Sequence, residues 1–188
     1  MIQPITHTRW QEAQVAEAAV VNYDYHDSAR AAQSVFDYLG IPVDQQWKQV
    51  VEIGGGAYPA TSYCLNVHAV VVEPLWFASL EQMAIQRQVE WVSEPFENAR
   101  IDPADEVWCY NALQHVRDPE RVVTRAKEVA PVVRFFEPVD YPTCVYHPHT
   151  FTEADFRRWF GDVVRRYTDR LPGFFDADCC YGTWRRDA

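Results

Sequence analysis

The chain has 188 residues, 48% of them hydrophobic and 23% charged, and a formal net charge of -10. This length and composition suit one globular domain with a real core and exclude a disordered chain. The acidic balance argues against a non-specific nucleic-acid binder, which needs a basic face to displace counterions.

Thr8-Arg9-Trp10-Gln11 reads as a capping box, and Trp10, Ala13, Ala16 and Val20 follow at helical spacing. A second helix is predicted from Asp27, with Ala32, Val35, Phe36 and Leu39 on one face and Gly40 then Pro42 as its stop. Gln49 to Ile53 is the first strong strand and runs straight into Gly54-Gly55-Gly56. A short helix around Pro59 to Leu65 follows, then a second buried strand, Ala69 to Glu73. A helix through Leu80 and Ile85 leads to a third strand, Val89 to Val92. Glu106 to Tyr110 is the fourth. Asp118-Pro119 then supplies an N-cap with proline in the first turn of a helix buried along Val122, Val123, Ala126 and Val129.

Val132 to Phe136 is the fifth strand. Thr152 caps a late helix with Phe151 and Phe156 as its staple and Gly161 as its stop. Val163 to Tyr167 and Cys179 to Trp184 are the closing strands, one of them antiparallel because no long helix separates them. The alternation predicts a mainly parallel α/β sheet covered by helices on both faces. Residues 1–188 read as one domain, with an N-terminal helical cap segment (1–44) and a Rossmann-like core (45–188).

No apolar run approaches the ~20 residues that cross a bilayer, and Met1 to Trp10 lacks the apolar stretch of a secretory signal. A cytoplasmic protein with neither membrane nor nucleic-acid partner is expected. Cys64, Cys109, Cys144, Cys179 and Cys180 are odd in number and form no CxxC pair, which favours reduced thiols over disulfides or a zinc ribbon. The tryptophans, Trp10 among them, read as core or sheet-edge residues.

Ligands of open α/β sheets bind at the carboxyl ends of the strands. Gly54-Gly55-Gly56 sits where the first strand turns into the first crossover, and glycine lets a ligand approach the backbone. Glu73 closes the next strand about 20 residues on, where a carboxylate can accept from both ribose hydroxyls. The dinucleotide fingerprint would need glycine at position 59, where the chain has Pro59, so a nicotinamide-dependent oxidoreductase is disfavoured.

Val51-Glu52-Ile53-Gly54-Gly55-Gly56 resembles motif I of the class I S-adenosylmethionine (SAM)-dependent methyltransferases. Val72-Glu73-Pro74-Leu75 resembles their second-strand acid, and the run from Asp105 to Val116 their fourth strand and following loop. His149-Thr150-Phe151-Thr152 is similar to the loop entering their late helix. Tyr58 stands at the third motif I glycine, and Ala130-Pro131 replaces the usual Pro-Gly-Gly. The resemblance, over about residues 45 to 165, implies a seven-stranded sheet with the last strand antiparallel and SAM as cofactor, S-adenosylhomocysteine being the product. It further implies that Glu52, Gly54, Gly55 and Gly56 face the methionine part of SAM, and Glu73 with Pro74 the ribose. Ser93 and Glu94 would lie near the adenine, Asn111, Ala112 and Leu113 beside the methyl donor, and Tyr23 or Tyr25 over the cofactor.

Methyl transfer from a sulfonium needs alignment first, and a base only where the acceptor must lose a proton. His115, His147 and His149 are the candidates for that base, and their spacing carries no metal signature. A core that fills nearly the whole chain leaves room for a small-molecule acceptor, methylated on oxygen or nitrogen. A SAM-binding regulatory subunit without catalysis is the alternative, and a homo-oligomer is left open.

Overall fold

The structure, a computed structural model, describes residues 2–20, 25–86, 88–168 and 177–186. Strands β1 (Asp44–Ile53), β2 (Leu65–Val72), β3 (Glu90–Val92), β4 (Glu106–Tyr110), β5 (Val132–Pro138), β6 (Arg165–Tyr167) and β7 (Cys179–Arg185) form one sheet. Its order is β3-β2-β1-β4-β5-β7-β6. The pairs among β1 to β5 are parallel, and β7 runs antiparallel to both β5 and β6. This is the predicted seven-stranded sheet with its last strand antiparallel.

The two-residue alternation of a strand sends neighbours to opposite faces, and each face has its own cover. Val51, Ile53, Val107, Cys109, Val133 and Phe135 pack with residues of α4 (Pro119–Val129) and α5 (Glu153–Phe160). Val50 and Trp108 face α2 (Tyr25–Leu39), and Ala69 and Val71 face α3 (Ala78–Ile85). Each fully buried Val or Phe of these layers contributes roughly 1.5–3 kcal/mol. Among the described residues, no helix is long and apolar enough to cross a membrane.

The helix ends follow the sequence signals with one correction. Asp118 accepts from the Arg121 N–H at 3.1 Å, Thr152 forms a capping box with Asp155, and Phe151 meets Phe156 with ring centroids 5.8 Å apart. Gly40, at φ +62°, closes α2, and the Ile41 N–H reaches back to the Phe36 carbonyl at 2.9 Å. The first helix, α1 (His7–Val20), is capped by Thr6 rather than Thr8: Thr6 Oγ1 accepts from the Arg9 N–H at 3.2 Å. The predicted apolar stripe of α1 is also corrected: Ala13 is buried as expected, but Gln14 and Glu17 are buried beside it and Ala16 is only half-buried, while the side chain of Val20 lies outside the described residues.

β1 starts five residues earlier than the predicted Gln49. Gln46 and Trp47 take positive φ values of 53° and 65°, and the pairing with β2 shifts register between Asp44 and Lys48. That bulge interrupts the alternation on which strand prediction rests.

Candidate active site

The ends of β1, β2 and β4 meet at one cleft. Gly54 leaves β1 at φ +67°, and its N–H donates to the Val72 carbonyl at 2.9 Å. A Cβ on Gly54 would lie 2.6 Å from Ala112 Cβ, and one on Gly55 would lie 2.7 Å from Pro59 Cβ. Glycine is therefore required here by conformation and by close approach together.

Gly56 ties the turn to the end of β2, its N–H donating to Glu73 Oε2 at 3.0 Å, while the Leu75 N–H donates to Oε1 at 2.8 Å. Glu73 is buried, and burial outweighs these hydrogen bonds, pushing its carboxyl up to about 7. Glu52 lies on the α2 face of the sheet, paired in register with Trp108. Its carboxylate accepts from the Ala60 N–H (2.7 Å), the Thr61 N–H (2.8 Å) and Thr61 Oγ1 (2.7 Å). Burial raises its pKa, and its geometry makes it a clamp on the 3-10 turn Ala60–Tyr63 rather than a wall of the cleft.

Of the predicted cofactor residues, Gly54, Glu73, Pro74, Asn111 and Ala112 line the cleft. Leu113 is buried beneath it. Ser93 and Glu94 are exposed, and the next three residues, Pro95, Phe96 and Glu97, border the cleft instead. Tyr23 and the side chain of Tyr25 lie outside the described residues. Sequence reasoning missed the third wall entirely: Trp10, Gln14 and Glu17 of α1 lie across the cleft.

His115 closes the side nearest α1. It ends a 3-10 turn, Leu113–His115, which follows Asn111 at φ +56°. Glu137, fully buried at the end of β5, holds that turn by accepting from the N–H groups of Ala112 (3.0 Å) and Leu113 (3.2 Å). Burial pushes the Glu137 carboxyl up to about 7. His115 Nδ1 lies 3.1 Å from Glu17 Oε2 and 3.1 Å from the Tyr146 carbonyl oxygen. Burial pulls its pKa down, but the hydrogen bond and charge of Glu17 outweigh burial and leave it raised.

His147 and His149 stand behind this wall. The His147 ring lies 4.6 Å from that of His115, and burial together with the charge of His115 lowers it to about 4. His149 Nε2 is 2.9 Å from the Val116 carbonyl oxygen, and burial lowers its pKa as well. Only His115 of the three reaches the cleft.

No protein-family model matches the chain, and no curated protein matches it in sequence. Solved structures do match in fold. An N1-methyltransferase from Burkholderia thailandensis, solved with 1,6-didemethyltoxoflavin and S-adenosylhomocysteine, aligns at 16% identity and TM-score 0.66 over 100% of this chain and 94% of its own. The N-methyltransferase NodS from Bradyrhizobium japonicum, solved with S-adenosylhomocysteine, aligns at 13% identity and TM-score 0.58 over 75% and 79%. The mitomycin 7-O-methyltransferase MmcR aligns at 16% and TM-score 0.58 over 86% of this chain and 53% of its own. The fold is that of the class I SAM-dependent methyltransferases.

Proposed function

We propose that this protein is a cytoplasmic SAM-dependent methyltransferase that moves the methyl group of SAM to an oxygen or nitrogen of a small-molecule acceptor. The observation that carries the reading is Glu73, a buried carboxylate ending β2, hydrogen-bonded to the glycine turn and bordering the cleft. In this reading the carboxylate accepts from the ribose hydroxyls. Gly54 gives the methionine part access to the backbone, Asn111 and Ala112 floor the methyl donor, and Phe96 offers apolar surface to the adenine. No Lys or Arg stands among the described lining residues, while Glu73 and Glu97 do. Such walls suit an ammonium and a sulfonium and disfavour the phosphates of a dinucleotide. Glu52 supports the site through the turn that it clamps.

Calorimetric titration with SAM, S-adenosylhomocysteine and NAD tests the reading. Binding of both sulfur nucleosides without NAD supports it, and binding of NAD alone overturns it. Binding of the sulfur nucleosides by a protein that transfers no methyl group to any acceptor selects the regulatory-subunit alternative.

A further inference from the structure

We propose that Glu17 is the positioning carboxylate of His115, holding the Nδ1 proton so that Nε2 takes the acceptor's proton during methyl transfer; this rests on the methyltransferase reading. Three side chains of one α1 stripe, at i, i+4 and i+7, address this one histidine. Trp10 Nε1 donates to the His115 carbonyl oxygen at 3.1 Å and Gln14 Nε2 to the same oxygen at 3.4 Å, while Glu17 meets Nδ1 at 3.1 Å. A helix that needed only anchorage would bury apolar side chains there. Gln14 and Glu17 are both 8% exposed, and burying polar groups is costly unless each has a partner.

The tautomer follows from the partners. Glu17 Oε2 and the Tyr146 carbonyl oxygen are both acceptors, so Nδ1 carries the proton and the neutral ring has its lone pair on Nε2. The amide nitrogen of Gln114, a donor, lies 3.4 Å from Nε2 and fits a lone pair there. The groups facing His115 are Glu17 from α1, His147 and the Tyr146 carbonyl from the segment after β5, and the carboxylates of Glu137 and Glu73 at the ends of β5 and β2. Glu137 binds the Ala112 and Leu113 N–H groups, and Glu73 binds those of Gly56 and Leu75 at the glycine turn. Of these carboxylates, Glu17 is the one placed on the ring nitrogen.

In the step itself, a lone pair of the acceptor atom forms a bond to the methyl carbon. The carbon–sulfur bond breaks and its pair stays on sulfur, giving a neutral thioether. The acceptor's proton passes to Nε2, and Glu17 stabilises the resulting imidazolium.

Nitrogen-15 spectra of the histidine rings, recorded from pH 5 to 10 with and without S-adenosylhomocysteine, test this assignment, with His115→Asn identifying the signal. The wild type is expected to show the Nδ1–H tautomer at high pH. In Glu17→Gln the His115 midpoint should fall by about one unit or more. A purely structural ion pair would shift the midpoint as well but leave the pH profile of methyl transfer unmoved, whereas a positioning role moves both. An Nε2–H tautomer in the wild type overturns the proposal, even if the variant fails to fold. An unchanged midpoint in a folded variant that binds S-adenosylhomocysteine overturns the pairing and spares the methyltransferase reading. A wild type that binds no S-adenosylhomocysteine overturns both.

Discussion

The cleft has two halves built by different means. The half proposed for the cofactor is made of backbone and strand ends: Gly54 at φ +67°, the Gly56 N–H, and a Glu73 only 17 residues from Gly56. The half around His115 is made of side chains from distant segments: Trp10 bonds it across 105 residues, Gln14 across 101 and the Tyr146 carbonyl across 31. A local backbone site is written into consecutive residues. A site assembled by tertiary packing leaves no such record, and its polar side chains disguise which face of the helix is buried.

The sharpest way to break this division is to alter the backbone half. Gly54→Val is expected to abolish S-adenosylhomocysteine binding, by more than about 100-fold in calorimetry, and to destabilise the fold as well. A β-branched residue at φ +67° is strained, by roughly 1–2 kcal/mol, and its Cβ would meet Ala112 Cβ at 2.6 Å. Gly54→Ala combined with Ala112→Gly removes that contact and should recover part of the melting temperature. A folded Gly54→Val protein with normal affinity would remove the glycine turn from the cofactor site. Glu73→Ala comes next. Losing charge-assisted hydrogen bonds to the ribose costs on the order of 1.5–3 kcal/mol, about tenfold or more in affinity. Unchanged affinity in the folded variant would end the ribose assignment.

Much of the first half was legible because glycine, proline and strand-ending acids have local meaning. Asp118-Pro119, Thr152 and Gly40 announce helix ends for the same reason. Glu137 carries the same mark as Glu73, an acid closing a buried strand, and reading both alike would have found it. Glu52 shows the limit of motif reading: its place in the motif is clear, but strand parity sends its carboxylate to the Ala60–Thr61 turn. Glu17 carried no signal. Among the described side chains of α1 the buried ones are Ala13, Gln14 and Glu17, and hydrophobic periodicity cannot mark a buried glutamate whose partner is 98 residues away.

A change in the second half should alter chemistry and spare binding. In Glu17→Gln, turnover of an acceptor that must lose a proton is expected to reach its plateau about one pH unit lower than in the wild type and to level off several-fold below it at high pH, because the neutral ring is a weaker base. The KM for SAM should stay within about twofold. Initial rates at varied SAM, from pH 6 to 9, separate the two effects. A rise in KM with kcat intact would move Glu17 to the cofactor half and erase the contrast.

The smallest expected effect lies on the boundary between the halves, in the protonation of Glu73. Its carboxyl is pushed up to about 7 by burial in the ligand-free protein. Two ribose hydroxyls are donors, so they favour the ionised form, which accepts at both oxygens. Affinity should therefore rise with pH through about 7 and level off above it. For a single group at that pKa, moving from pH 8 to pH 6.5 weakens S-adenosylhomocysteine binding about fourfold. The same raised pKa works on folding with the opposite trend. Burial favours the protonated form of Glu73 in the ligand-free fold, so its contribution is fully present below its ordinary value of 4.5 and is lost as pH rises through about 7. The rise in melting temperature on adding S-adenosylhomocysteine should accordingly be larger at pH 8 than at pH 6.5. Glu137 is raised to about 7 too, and His115 is also raised, but neither is placed on the ribose in this reading. Glu73→Gln separates them: calorimetry across this pH range should show a flat affinity in the variant. A slope that survives the substitution would assign the proton to Glu137 or His115 and detach Glu73 from the cofactor.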